Sequence, residues 1–192
     1  MNPVLIGVIF MIKTHDNFLS NDISQLAYNM VIQSFYKIGW DDSPEPQHKA
    51  YQNLHSVYSF EDVKKLKMLG PILEKVKPYK LNIDNYKNCV VNLTKPLDVN
   101  FIHMHPNQVV ALYYTNLTWN PEWGGESLFY ENNRKDIRFS SAYIPNKLVI
   151  FDGGIPHTIK AQNLIGPAYR FTISFFFNKN MVEKNRRKPW KK

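Results

Sequence analysis

Phe101-Ile-His103-Met-His105-Pro-Asn107, followed at a distance by Lys147-Leu-Val-Ile-Phe-Asp152, Pro156-His157 and Arg170-Phe-Thr-Ile-Ser174, decides how this chain folds. His103 and His105 stand two residues apart, so on a strand they point to the same face. His157 comes more than fifty residues later, after the apolar run Leu148–Phe151 and the turn Asp152-Gly-Gly-Ile-Pro156. Two imidazoles from one strand and a third from a distant strand form one triangular face of a metal site of the jelly-roll kind and leave the opposite face open. Neutral imidazole suits iron, zinc, copper and nickel alike, so ligand type does not choose the metal. An isolated H-x-H is a common pattern, and either ring serves equally well as a satisfied core histidine. The order of features around the pair is what gives it weight.

Outward from this stretch, the chain from Tyr79 onward alternates short β-branched and aromatic runs with turn residues. The runs predict strands over 86–93, 99–105, 108–116, 126–130, 147–151, 155–161 and 168–177. The first half reads differently. Val4–Ile12 is a continuous apolar run and predicts a buried first strand. Ile23, Leu26, Ala27, Met30, Val31, Phe35 and Ile38 recur at helical spacing behind a cap at Ser20 or Asn21, and Gly39 ends the pattern. Residues 41–58, with Pro44 and Pro46, read as a loop. Ser59 with Asp62 resembles a capping box, and a second helix with Val63, Leu66 and Leu69 follows, interrupted at Gly70-Pro71 and resuming to about Val76. Helices first and many strands later predict an α+β domain whose second half is a β-sandwich or barrel-like roll. No internal boundary is visible. One domain is expected over 1–178, with a basic tail at 179–192.

The chain has 192 residues and is 44% hydrophobic and 14% aromatic, enough to bury a core and too apolar for a disordered segment. Its net charge of +8 suggests a nucleic-acid or membrane binder at first sight. Residues 179–192, however, hold seven basic side chains and one acid, a net +6, which leaves +2 for residues 1–178. Nucleic acid is therefore expected as a partner only through the tail, whose simplest reading is a solvated end. Val4–Ile12 is too short to span a bilayer and lacks the basic flank of a signal peptide, so no membrane partner is expected. The single cysteine, Cys89, excludes an internal disulfide framework and a cysteine-based zinc site, and a reducing, cytoplasmic location fits. Asn92-Leu-Thr94 and Asn116-Leu-Thr118 match the glycosylation pattern by chance on this reading.

Arg170 stands alone in the apolar run Ala168–Phe177. A buried, unpaired charge is costly, and a guanidinium matches a carboxylate bidentately, so the position suits an anion clamp or an internal salt bridge. Thr172 and Ser174 share its strand face and add hydroxyl groups. Read in order, Phe101-Ile-His-Met-His-Pro-Asn107, Val110-Ala-Leu-Tyr-Tyr-Thr-Asn-Leu-Thr-Trp119, Gly124-Gly-Glu-Ser-Leu-Phe129, Lys147–Asp152, Pro156-His157 and Arg170–Ser174 resemble the 2-oxoglutarate- and iron(II)-dependent oxygenases, particularly the prolyl 4-hydroxylase-like branch. Small members of that branch occur in tailed phages, and for a phage-encoded chain the location would be the host cytoplasm. The resemblance covers about residues 86–177. It implies a double-stranded β-helix (jelly-roll) core with N-terminal supporting helices, Fe(II) and 2-oxoglutarate as cofactors with ascorbate as an optional reductant, and a peptide or small-molecule substrate, with peptidyl proline first. It implies His103 and His157 as the first and last metal ligands, Arg170 on the distal carboxylate of 2-oxoglutarate, and Tyr114 beside it; Thr172, on the strand face of Arg170, would add a hydroxyl to the same cofactor site. The bland account of Tyr113 and Tyr114 is sheet packing. Trp119, Trp123, Gly124 and Gly125 read as a packed corner, and Asp152 as a turn cap or as a group that orients a ligand histidine, the turn cap being the simpler reading.

One position departs from the family. Where H-x-D expects an aspartate, this chain has His105. Either His105 ligates and completes a three-histidine site, or it leaves the position to water or an anion, or the site is silent in catalysis. Two rival readings follow: a cupin-like metalloprotein, and a metal- or ligand-binding jelly roll without turnover. Cupins normally add a glutamate four or five residues after the pair, where this chain has Val109 and Val110.

Overall fold

Thirteen regular elements are present in the computed structural model, which describes residues 11–40, 43 and 45–179. In chain order they are β1 (Ile12–His15), α1 (Asn21–Gln33), β2 (Lys37–Trp40), β3 (Asn53–Tyr58), α2 (Phe60–Lys64), α3 (Leu69–Val76), β4 (Tyr86–Thr94), β5 (Gln108–Tyr114), β6 (Ser127–Tyr130), β7 (Ile137–Ser141), β8 (Leu148–Asp152), β9 (His157–Ile159) and β10 (Arg170–Asn178). Short 3-10 turns join some of them. The strands form a seven-stranded antiparallel sheet in the order β1-β8-β5-β10-β4-β3-β2 and a three-stranded one in the order β7-β6-β9. The two sheets face each other as a jelly roll.

The pleat of β10 explains the layering. Phe171, Ile173, Phe175 and Phe177 point to one face, where they join Cys89, Val91 and Leu93 of β4, Val109, Ala111 and Tyr113 of β5, and Leu148 and Ile150 of β8. The helices cover this face with Ala27 and Val31 of α1, Val63 of α2, and Leu69, Ile72 and Val76 of α3. Arg170, Thr172, Ser174 and Phe176 point the other way, between the sheets. There Phe176 packs with Val90, Val110, Phe151 and the Phe129 of β6. Strands buried on both faces carry near-continuous apolar runs, which is why they are conspicuous in sequence. Each fully buried phenylalanine contributes roughly 1.5–3 kcal/mol.

The first half departs from expectation in several places. The predicted strand 4–12 falls almost wholly outside the described residues, and β1 starts at Ile12. α1 stops at Gln33, with Ser34 already extended (ψ 145°), instead of running to Gly39. Phe35 is 94% exposed, and Ile38 pairs with Leu54 across β2 and β3. The sheet edge captured residues whose spacing also fitted a helix. The expected loop 41–58 contains β3, paired along its length with β4. Its buried positions, Asn53 and His55, are polar, so the usual alternation is inverted. Ser59 caps α2 as expected, its hydroxyl accepting from the Asp62 amide. The break in the helical stretch lies between Lys64 and Leu69, while Gly70 and Pro71 sit in the first turn of α3, where proline is tolerated. β7 was not anticipated, because four of its five residues are exposed and little apolar pattern marks it.

Candidate metal centre

Residues 99–105, expected as a strand, form a loop that touches the smaller sheet at one point. His103 and His157 exchange both backbone hydrogen bonds, each 3.0 Å, as an isolated bridge. Pro106 and a left-handed Asn107 (φ 61°) then turn the chain into β5. The imidazoles converge even so. Ring centroids lie 4.4 Å apart for His103 and His157, 5.0 Å for His103 and His105, and 5.2 Å for His105 and His157. One ring nitrogen from each falls within 4.8 Å of the others, a grouping that can hold a metal ion.

Two of the rings are oriented by backbone carbonyls. His103 Nδ1 lies 3.0 Å from the Phe101 oxygen, and His157 Nδ1 lies 2.7 Å from the Ile155 oxygen. A carbonyl only accepts, so each Nδ1 carries a proton and Nε2 is the ring nitrogen left to face a ligand. His105 packs edge-on against Phe176 at 4.9 Å. Burial, with His103 adding to it, pushes His105 down to about 3 and His157 well below the usual imidazole range. Both are neutral at physiological pH, which is the ligating form. The turn between β8 and β9 supports the cluster. The His105 amide donates to the Gly153 carbonyl at 2.6 Å, and a Cβ on Gly153 would stand 2.4 Å from the His105 carbonyl oxygen. Only glycine allows the two backbones to come this close.

At the other end of β10, Arg170 is 1% exposed. Its Nε donates to the Gly125 carbonyl at 3.0 Å, and its guanidinium carbon lies 4.5 Å from the centre of the Tyr143 ring and 5.6 Å from that of Tyr114. Gly125 has φ 83°, and a Cβ there would approach the Arg170 side chain to 3.2 Å. The glycine corner thus seats the arginine. Nη1 and Nη2 have no hydrogen-bond partner, and neither does the Thr172 hydroxyl. Burial lowers the Arg170 pKa, while Tyr143, Tyr114 and Glu126 oppose the shift. Guanidinium does not deprotonate in proteins, so a cation with both Nη groups unpartnered is buried here. Such a group calls for an anionic ligand.

The cavity between the sheets is lined at one end by the three histidines, Phe176 and Ser174, and farther along by Thr172, Thr94 and Ser127. Arg170 and Tyr114 lie behind that far end and do not themselves line it. Tyr114 meets it through Ser127, to whose hydroxyl it donates at 2.8 Å. Thr172 lines it directly. Alternate residues advance about 6–7 Å along a strand, so beyond Phe176, which packs on His105, Ser174, Thr172 and Arg170 form a polar track leading away from the histidines. Tyr143 and Ser127 were not flagged in the sequence. Tyr143 stood in the featureless stretch 130–146, yet its hydroxyl binds Phe171, Asn116 and Thr115 backbone or side-chain atoms, and its ring stacks on Tyr114 at 4.6 Å. Ser127 had a signal, its place directly after Gly124-Gly-Glu126. Asp152 is a turn cap as expected, accepting from the Gly154 amide at 2.8 Å.

No protein-family model matches the chain, and no curated protein matches it. Solved structures do match. A prolyl hydroxylase from Trichoplax adhaerens, in complex with a hypoxia inducible factor peptide fragment, superposes with a TM-score of 0.63 at 18% identity, over 88% of this chain and 83% of that one. A Pseudomonas putida prolyl-4-hydroxylase gives 0.61 at 12%, over 89% and 94%. HygX from Streptomyces hygroscopicus, with nickel and 2-oxoglutarate bound, gives 0.63 at 8%, over 88% and 83%. The chain therefore has the double-stranded β-helix fold of prolyl hydroxylases and other 2-oxoglutarate-dependent oxygenases.

Proposed function

We propose that this protein is an iron(II)- and 2-oxoglutarate-dependent dioxygenase that hydroxylates a peptidyl proline or a related peptide or small-molecule substrate. One observation carries the reading. Along the interior of one jelly roll, a cluster of three imidazoles is followed by a buried arginine with both Nη groups open. The residues fit both cofactors. His103, His105 and His157 would hold the metal through ring nitrogens. Arg170 would take the distal carboxylate of 2-oxoglutarate, the Thr172 hydroxyl would donate to it, and Tyr114 would stand beside it from β5. When bound, iron and 2-oxoglutarate would supply the oxidation with dioxygen as the oxidant: the keto acid would be converted to succinate and carbon dioxide, one atom of dioxygen entering the succinate carboxylate and the other a C–H bond.

The protein's own part is binding, orientation and exclusion of water. The carbonyls of Phe101 and Ile155 fix two imidazole tautomers. Phe129, Phe151 and Phe176 give the cavity an apolar wall that would disfavour water. The carboxamides of Asn53, Asn92 and Asn100 line the same cavity, and among the described residues no Lys, Arg, Asp or Glu side chain does. That lining suits an uncharged substrate with amide groups. Ascorbate would serve as an outside reductant.

Three neutral ligands leave a divalent metal its full +2, whereas an aspartate at 105 would reduce it to +1. The wild-type site is thereby biased towards anionic co-ligands such as 2-oxoglutarate. The same substitution favours a second reading, a jelly roll that binds metal and ligand without turnover. Anaerobic addition of iron(II) and 2-oxoglutarate distinguishes them. The weak visible charge-transfer band of the chelate is expected in the wild type and in His15→Ala, and is lost in His157→Ala. Absence of the band in the wild type sinks the cofactor assignment. A band without oxygen-dependent succinate formation favours the silent module.

A further inference from the structure

We propose that Lys179 is a positioning residue for the three-histidine cluster, acting through Asp152 and the β8–β9 turn. The inference rests on the metal-binding reading of that cluster. The sequence assigned Lys179 to the basic tail, but it closes the fold instead. Its Nζ reaches Asp152 Oδ2 at 2.6 Å, and its backbone amide donates to the Asn107 carbonyl at 2.9 Å. Both partners adjoin the cluster. Asn107 is two residues past His105. Asp152 opens the turn that carries the other supports: its Oδ1 caps the Gly154 amide at 2.8 Å, and its carbonyl accepts from the Ile155 amide at 2.9 Å. Gly153 within that turn accepts from the His105 amide, and Ile155 holds His157 Nδ1. One lysine therefore clamps the end of β10 to both segments that deliver His105 and His157. The Asp152 side chain is 12% exposed and that of Lys179 36%, so the pair is partly withdrawn from water and less screened than the surface pairs of α2.

Partners one shell beyond the ligands hold imidazoles in place, and losing one weakens metal binding about 10- to 100-fold. Cobalt(II) alone is the probe, because its visible absorption reports coordination geometry as well as affinity. In the full chain, Lys179→Met and Asp152→Asn are each expected to weaken cobalt binding about 10-fold and to alter the visible spectrum. Asn at 152 can keep the Gly154 cap, which separates loss of the charge from loss of the turn. Lys179→Arg retains a cation and is expected to restore the wild-type spectrum. The double variant is expected to be no weaker than either single one, as required of one shared interaction. Lys64→Met, which removes an exposed ion pair on α2, leaves cobalt binding unchanged. If the wild type binds no cobalt, the metal reading itself fails. If it binds, and either folded single variant matches it in affinity and spectrum, the positioning role is overturned.

Discussion

At the scale of the residue, Arg170 concentrates the physics of the site. It is a cation removed from water, held by one hydrogen bond to Gly125 and by two aromatic faces, with both Nη groups open. In a protein folded for its own stability alone, this would be a poor choice, since an apolar residue of similar volume does as well or better there. Arg170→Met is therefore expected to leave the melting temperature of the protein without 2-oxoglutarate unchanged or raised. The same change is expected to weaken 2-oxoglutarate binding by about 2–5 kcal/mol, the range for truncating one partner of a buried charge pair. Cobalt affinity should not move. Thermal denaturation and calorimetric titration of each ligand check the three statements, and an unchanged 2-oxoglutarate affinity would remove Arg170 from the cofactor site. Arg170 was legible in the sequence because a lone charge in an apolar run contradicts its surroundings. Tyr143, which does as much to seat the guanidinium, was not, because a tyrosine in a loop-like stretch contradicts nothing.

At the scale of the element, the β8–β9 turn matters more than its five residues suggest. Gly153 has ordinary backbone angles, so its need for glycine comes from contact: an added Cβ meets the His105 carbonyl oxygen at 2.4 Å and the His105 Cβ at 2.9 Å. Gly153→Ala must push the turn and the His105 segment apart. A loss of about 1–3 kcal/mol of stability is expected, of the size strain and overpacking usually produce. For a chain of this length that is a fall of about 2–12 °C in melting temperature. Cobalt affinity should fall in addition, which separates this glycine from a merely structural one; retention of full affinity would show that His105 adapts. The elements themselves were legible in proportion to their burial. β4, β5, β8 and β10 are largely buried and mostly apolar, and were found within a residue or two. β3 escaped because polar Asn53 and His55 occupy its buried positions, and β7 because it lies on an exposed edge. The H-x-H pair was read correctly as convergent for an incorrect reason. A turn with one bridge to His157, rather than a strand, brings the rings together.

At the scale of the whole molecule, the charge and the site separate. No helix among the described residues is long and apolar enough to cross a membrane. Residues 180–192 carry six basic side chains and one acid, so truncation after Lys179 lowers the net charge from +8 to +3 while keeping the Asp152 pair. Any affinity for duplex DNA is expected to fall on truncation, with a shallower dependence on salt, because fewer phosphates are neutralised. The iron and 2-oxoglutarate chelate band should be unaffected, and its loss would mean that the tail belongs to the site. The two sheets make the last prediction. The histidines come from the smaller sheet and its adjoining loop, while Arg170, Thr172 and Tyr114 come from the larger one. A metal with 2-oxoglutarate would tie together two layers otherwise joined by packing of the interior core and by bonds such as that from Tyr114 to Ser127, and native-state binding stabilises by mass action. At ligand concentrations about 100-fold above Kd the gain is about 2.7 kcal/mol per ligand, or roughly 5–11 °C in melting temperature. Metal alone should give the first increment, and 2-oxoglutarate a second one only when metal is present. In Arg170→Met the first increment should persist and the second vanish. A 2-oxoglutarate increment without metal would show that the dicarboxylate binds on arginine alone, and the chelate geometry would then have to be abandoned.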